Sequence, residues 1–238
     1  MGYKKITVGA DRFLALNWAN YAFELFQIQE DQDYLYESLK SYLDGEIEGE
    51  ETSRKTANQL KRLWLVEDDF QQLRLTAQSL KYTLNPEFMS ILHLGMAMNV
   101  FPIYRETLRA IGLLDRIINP IPKQSIRKRV LEMFGNTASI PRAVDRVLQT
   151  LEDWQFIDLE PNKVVIRTIA LKDDQFAAWC IAALIFANNS TGINLSDLAM
   201  LPEKLGIQIA DPRGIIQTTN FVKLSRNSQG LEIITVSH

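Results

Sequence analysis

The sequence predicts a mostly α protein in three parts: a helical N-terminal region, a central pair of helices closed by a β-hairpin, and C-terminal helices ending in a second hairpin. Three observations carry this reading. Residues 140–154 hold the clearest helical period in the chain. The stretch before them, 123–139, reads as another helix and a tight turn. After Trp154 the period becomes strand-like, and a Pro-Asn turn separates two short apolar runs. The parts fall at 1–102, 103–168 and 169–238.

In the first part, residues 10–27 form the expected first helix. Phe13, Leu14, Leu16, Trp18, Ala22, Phe23, Leu25 and Phe26 make its apolar side. Residues 34–43 form a second helix, closed by Gly45. The aromatic residues here bring large areas suited to core packing. Residues 45–51, GEIEGEE, read as a solvated acidic connector, since adjacent acids without a defined turn coordinate metals poorly. Thr52 or Ser53 then caps a helix over 53–65 whose Ala57, Leu60, Leu63 and Trp64 face inward. Arg54, Lys55, Asn58, Lys61 and Arg62 share the opposite arc of about 120°. This basic face is either an ordinary solvated surface or a second contact for phosphates or bases. A helix over 70–83 breaks at Asn85-Pro86. Residues 88–100 read as a buried helix with Met89, Met96 and Met98 as core filler.

In the second part, Phe101-Pro102 opens a helix through Ile118, and residues 119–122 (NPIP) are a rigid turn into Lys123. The next helix puts Ile126, Val130, Met133 and Phe134 on one side. Gly135-Asn136 ends it where a left-handed residue is wanted. Ser139 caps the following helix, with Pro141 in its first turn where a missing N–H costs nothing. Ile140, Ala143, Val144, Val147, Leu148, Leu151 and Trp154 follow the i, i+3, i+4, i+7 rule over an arc of about 140°. Arg142, Asp145, Arg146, Gln149 and Asp153 lie opposite. Strands at 156–159 and 164–167 flank the turn Glu160-Pro161-Asn162-Lys163.

In the third part, residues 176–187 (FAAWCIAALIFA) are apolar all round and too short for a membrane span, so they read as a buried helix. Residues 188–192 are a loop. Residues 196–205 form a short helix capped by Ser196, and two strands surround a polar turn at 226–230. This part either packs on the central module or serves as a contact in a homo-oligomer.

Composition narrows the function. The net charge of −3 argues against coating nucleic acid by charge alone. Residues 105–167, however, carry 11 basic and 8 acidic residues, a balance of +3, against −6 for the rest. One cysteine, Cys180, allows no disulfide within the chain, and with His93 and His238 it makes no usual zinc set. His93 reads as a core histidine. No apolar run suits a bilayer or a signal peptide, so the expected setting is a reducing cytoplasm with no membrane partner. No phosphate-binding glycine loop or nucleophile elbow appears, and the acidic pairs Asp68-Asp69 and Asp173-Asp174 lack the strand and lysine of a nuclease. Neither catalysis nor a cofactor is expected.

The order helix, turn, helix, hairpin over 123–167 resembles the winged helix-turn-helix DNA-binding superfamily. Such a central winged helix is built to enter a major groove of double-stranded DNA. Arg142, Arg146 and Gln149 are placed for base edges or phosphates, and Lys123, Lys128, Arg129 and Lys163 for phosphates. Winged helices also dock proteins, and Asp145, Glu152 and Asp153 dilute the front face, so a protein-interaction scaffold is the alternative. A small-molecule regulator with a pocket between 88–100 and 176–187 is a third reading. The order of N-terminal helices, capped basic helix and later winged helix also looks like the BrxA group of accessory proteins from bacterial BREX phage-defence clusters. Ser53, Thr56, Ala57 and the Lys61-Arg62 pair carry that likeness. It implies a non-enzymatic DNA-binding protein working beside larger defence proteins.

Overall fold

The computed structural model describes residues 9–26, 31–80, 88–135, 137–188 and 190–237. The fold is mostly helical, with short strands in the central and C-terminal parts.

The N-terminal helices are α1 (Leu16–Phe26), α2 (Gln32–Glu46), α3 (Glu50–Leu60), α4 (Gln71–Leu80) and α5 (Met89–Val100). Helix α1 starts at Leu16, not at residue 10, and side chains from elsewhere take the N–H groups around that start. Leu14 N donates to Thr150 Oγ1 at 3.0 Å, and Leu16 N to Asp153 Oδ2 at 2.6 Å. Gly45 lies inside α2 rather than closing it. Helix α3 starts within the supposed acidic connector. Gly49 occupies its N-cap at φ +94°, and Glu50 and Glu51 fill the first turn, where acids suit the helix dipole. Neither Thr52 nor Ser53 is the cap. Ser53 is buried inside the helix and donates to Asp44 Oδ1 at 2.5 Å. Gln27, Asn85, Pro86, Asn136 and His238 lie outside the described residues.

Helix α3 runs on into a single π turn, Lys61–Leu65. Such a turn leaves carbonyls without helical partners. Arg74 of α4, fully buried, supplies donors to the carbonyls of Arg62, Leu63 and Val66 at 2.8–2.9 Å. Its charge is paired with Asp68 at 2.6 Å. The π turn buries Trp64, whose indole N–H donates to His93 Nδ1 at 3.0 Å. His93 Nε2 therefore carries the proton and donates to Asn20 Oδ1 at 2.8 Å. Full burial pushes the His93 pKa down to about 3, so the ring is neutral.

The central part runs α6 (Pro102–Asp115), β1 (Ile121–Pro122), α7 (Lys123–Phe134), α8 (Ile140–Asp153), β2 (Ile157–Leu159) and β3 (Lys163–Ile166). The strands form an antiparallel sheet in the order β1-β3-β2, with Ile121 opposite Val164 and Asp158 opposite Val165. Five details depart from expectation. Helix α6 ends at Asp115, leaving Ile117 and Ile118 exposed. Ile121-Pro122 is a strand and not merely a turn. Met133 points outward, so the inner side of α7 rests chiefly on Ile126 and Val130. Ser139 stands at the N-cap of α8 without a side-chain cap bond. Gly135 has φ +80° but ψ 166°, an extended mirror conformation rather than the left-handed helical one. The inward stripe of α8 is as read: all seven residues from Ile140 to Trp154 are buried.

The third part contains β4 (Ile169–Leu171), α9 (Asp174–Ala187), β5 (Gly192–Asn194), α10 (Leu195–Leu198), a 3-10 turn (Pro202–Lys204), β6 (Ile207–Ile209), α11 (Pro212–Thr218), β7 (Val222–Arg226) and β8 (Glu232–Val236). Helix α9 is buried nearly all round, as its composition requires. The expected helix at 196–205 is instead α10, with Asn194 at its cap, followed by the 3-10 turn. The terminal hairpin β7–β8 forms as expected, and β5 adds to β8. Strand β4 pairs in parallel with β6. The 3-10 turn presses on α6 at Gly112, where a Cβ would come within 2.2 Å of Pro202 O. The buried side chains form one cluster reaching from Ala10 to Ile234, across the boundaries at 102/103 and 168/169.

Candidate nucleic-acid interface

The candidate interface centres on α8. Its apolar stripe packs on α6 and α7, which fixes the rotation of the helix and turns Arg142, Arg146 and Gln149 outward. Arg146 Nη1 donates to Gln149 Oε1 at 2.8 Å, so these side chains lie together along the exposed face. Arg142 is one turn nearer the N-terminus. On α7, Lys128 and Arg129 are exposed and Lys123 half-buried, and Lys163 is exposed at the start of β3.

The acids that dilute this face in the sequence are each engaged within the protein. Asp145 accepts from Arg127 Nε at 2.7 Å. Glu152 Oε1 accepts from the Leu159 N–H at 3.1 Å, joining α8 to β2. Asp153 accepts from Leu16 N at 2.6 Å, at the start of α1. Among the described residues, Lys123, Lys128, Arg129, Arg142, Arg146 and Lys163 have no carboxylate within ion-pair reach. These six cations thus lack a carboxylate partner, while the three acids beside them on α8 each hold a hydrogen bond within the protein.

The other basic face, on α3 and the π turn, is arranged in the opposite way. Arg54 binds Glu51 through Nε at 2.8 Å and Nη2 at 2.9 Å, and Lys55 Nζ lies 3.0 Å from the same carboxylate. The Arg54 bond first, then the Lys55 bond, holds the Glu51 carboxyl down to about 2. Lys61 Nζ sits 4.9 Å from the centre of the Tyr36 ring. Arg62 donates to Gly9 O at 2.7 Å and lies over the Phe101 ring. Each of these four cations has a partner within the chain.

Sequence reasoning passed over Arg127. It lies one turn after Lys123 on α7, at the joint with α8, and that i, i+4 relation was the available signal. Three acids of the pairs at 68–69 and 173–174 have structural work. Asp68 pairs with Arg74, Asp173 caps α9 through Phe176 N at 2.8 Å, and Asp174 accepts from Thr218 at 3.0 Å. Among the described residues no cluster of His, Cys, Asp and Glu fit for a metal ion occurs, and no helix is long and apolar enough to cross a membrane. Cys180 is buried, which pushes its thiol pKa up. Compared with known proteins, the chain matches no family model, no curated protein and no solved structure.

Proposed function

We propose that residues 103–168 form a winged helix-turn-helix that binds double-stranded DNA without catalysis, laying α8 in the major groove. The topology supports this: three helices and three strands in the order α6-β1-α7-α8-β2-β3, with β3 between β1 and β2, are the parts a winged helix needs. The observation that carries the reading is the unequal treatment of charge. On α7, α8 and β3 Lys123, Lys128, Arg129, Arg142, Arg146 and Lys163 have no carboxylate partner among the described residues, while Asp145, Glu152 and Asp153 each accept a hydrogen bond from within the protein. Arg142 and Arg146 occupy the N-terminal half of α8, the part that meets base edges in helix-turn-helix docking. Lys123, Lys128, Arg129 and Lys163 are assigned to phosphates.

With about four to six phosphates neutralised, log K falls against log salt with a slope of roughly −4 to −5. Anisotropy titration of random duplex DNA at two salt concentrations tests this. Absence of binding at about 50 mM salt and micromolar protein removes the DNA reading.

The accessory role in phage defence, beside larger proteins in a cytoplasm, belongs to the same proposal and rests on the sequence alone. The residues that carry that resemblance have roles inside this fold: Ser53, Thr56 and Ala57 are buried, and Lys61 and Arg62 are engaged by aromatic rings. A second reading, docking of a protein partner, has one observation in its favour. Ile117 is 77% exposed, and Met200 is 59% exposed close by, its carbonyl accepting from Arg116.

A further inference from the structure

Arg127 and Asp145 meet where α7 crosses α8. The bond uses Nε of Arg127 and Oδ1 of Asp145, at 2.7 Å, with both side chains a little over one third exposed. Nε is a single donor of a planar group with five N–H donors. Fixing it sets the plane and leaves both terminal amines, Nη1 and Nη2, without a protein partner among the described residues. A long arginine side chain usually loses considerable rotamer entropy on binding. Here much of that ordering is already done in the free protein.

Position adds to the argument. Asp145 stands three residues after Arg142 and one before Arg146, at the edge of the outward arc of α8. In helix-turn-helix docking the helix before the recognition helix crosses the DNA backbone. Arg127 lies on that helix, between Lys123 and the Lys128-Arg129 pair. Its free amines form a fork that matches two phosphate oxygens, which a lysine cannot do.

We propose that Arg127 is a phosphate clamp of the interface and that Asp145 is the positioning residue that aims it; this rests on the DNA-binding reading above. A carboxylate that opposes DNA on simple charge counting then has a use at the interface. The proposal separates from that counting by sign. A lone carboxylate on a DNA-facing surface repels phosphate, so its removal tightens binding. A carboxylate that orients a clamp weakens binding when it is lost.

The experiment is anisotropy titration of random duplex DNA at two salt concentrations with wild type, Arg127→Met, Arg127→Lys, Asp145→Ala and the double variant Arg127→Met/Asp145→Ala, with urea unfolding of each. Arg127→Met is expected to bind roughly tenfold more weakly, with a salt slope smaller in magnitude by about one. Arg127→Lys keeps the charge but lacks the fork, and is expected to lose affinity as well. Asp145→Ala is expected to weaken binding in the wild-type background and to tighten it in the Arg127→Met background. A change of the same direction in both backgrounds, or an Arg127→Met protein that keeps wild-type affinity and slope, overturns the proposal while leaving the DNA reading standing. Failure of the wild type to bind removes both.

Discussion

His93 shows how one buried side chain sets a solution property. Its neutral ring accepts from Trp64 and donates to Asn20, and burial holds its pKa at about 3. The unfolded chain has an ordinary histidine pKa of about 6.5. A folded pKa below the unfolded one means that the unfolded state binds more protons between these values. The stabilisation is therefore complete above about pH 6.5 and is lost as the pH falls toward 3, at up to about 1.4 kcal/mol per pH unit. Urea unfolding at pH 7 and pH 5 is expected to show this loss in the wild type, and a clearly smaller pH dependence in His93→Gln. Equal slopes in the two proteins count against the assignment. Trp154 sits in the same ring cluster, with His93 at 5.6 Å and Tyr104 at 6.2 Å between centroids. Trp154→Ala is expected to cost about 3–5 kcal/mol in the same assay. An unchanged unfolding midpoint would place Trp154 outside the core.

At the scale of elements, how much the sequence disclosed depended on length and on who satisfies the backbone. Helix α8 was legible because seven apolar residues keep one period over the fifteen positions from Ile140 to Trp154. Helix α9 was legible from an unbroken apolar run. The start of α1 differs from the sequence reading because residues 10–15 have helical composition, yet the Leu14 N–H is taken by Thr150 and the first N–H of the helix, that of Leu16, by Asp153, about 136 residues away in sequence. No local pattern reports such a partner. Strands β1, β4, β5 and β6 have two or three residues each, too few for alternation to register. The burial of Arg74 was equally hidden, because it answers carbonyls freed by a π turn that the sequence does not announce. Candidate site residues were legible as a set, but not which set is free, since Glu51 lies one helical turn from Arg54 and Lys55 in a stretch read as connector. One element contact makes a sharp prediction. Gly112 of α6 lets Pro202 O approach within 2.2 Å of where a Cβ would stand. Gly112→Ala must displace the 3-10 turn or α6 and is expected to destabilise the protein by about 1–3 kcal/mol in denaturant unfolding. A neutral effect would show that this junction is loose.

At the scale of the whole molecule, one core joins three stretches that read as separate units. Thr150 and Asp153 of α8 hold the N-terminal segment, and Arg109 of α6 holds Glu203 of the third part at 2.7 Å. The helix assigned to DNA is therefore supported from both flanking parts, which favours a rigid surface over an adaptable one. The net charge of −3 is compatible with DNA binding only if the positive charge is local and uncompensated. That condition distinguishes the two basic faces. The most direct measurement is a duplex DNA titration at two salt concentrations comparing wild type, Arg142→Ala/Arg146→Ala and Arg54→Ala/Lys55→Ala. The first pair is expected to weaken binding strongly while the salt slope, set by the phosphate contacts, stays near its wild-type value, and the second leaves affinity within about twofold of wild type. Loss of binding confined to the Arg54/Lys55 variant, or no binding by the wild type, would contradict the assignment of DNA binding to α8.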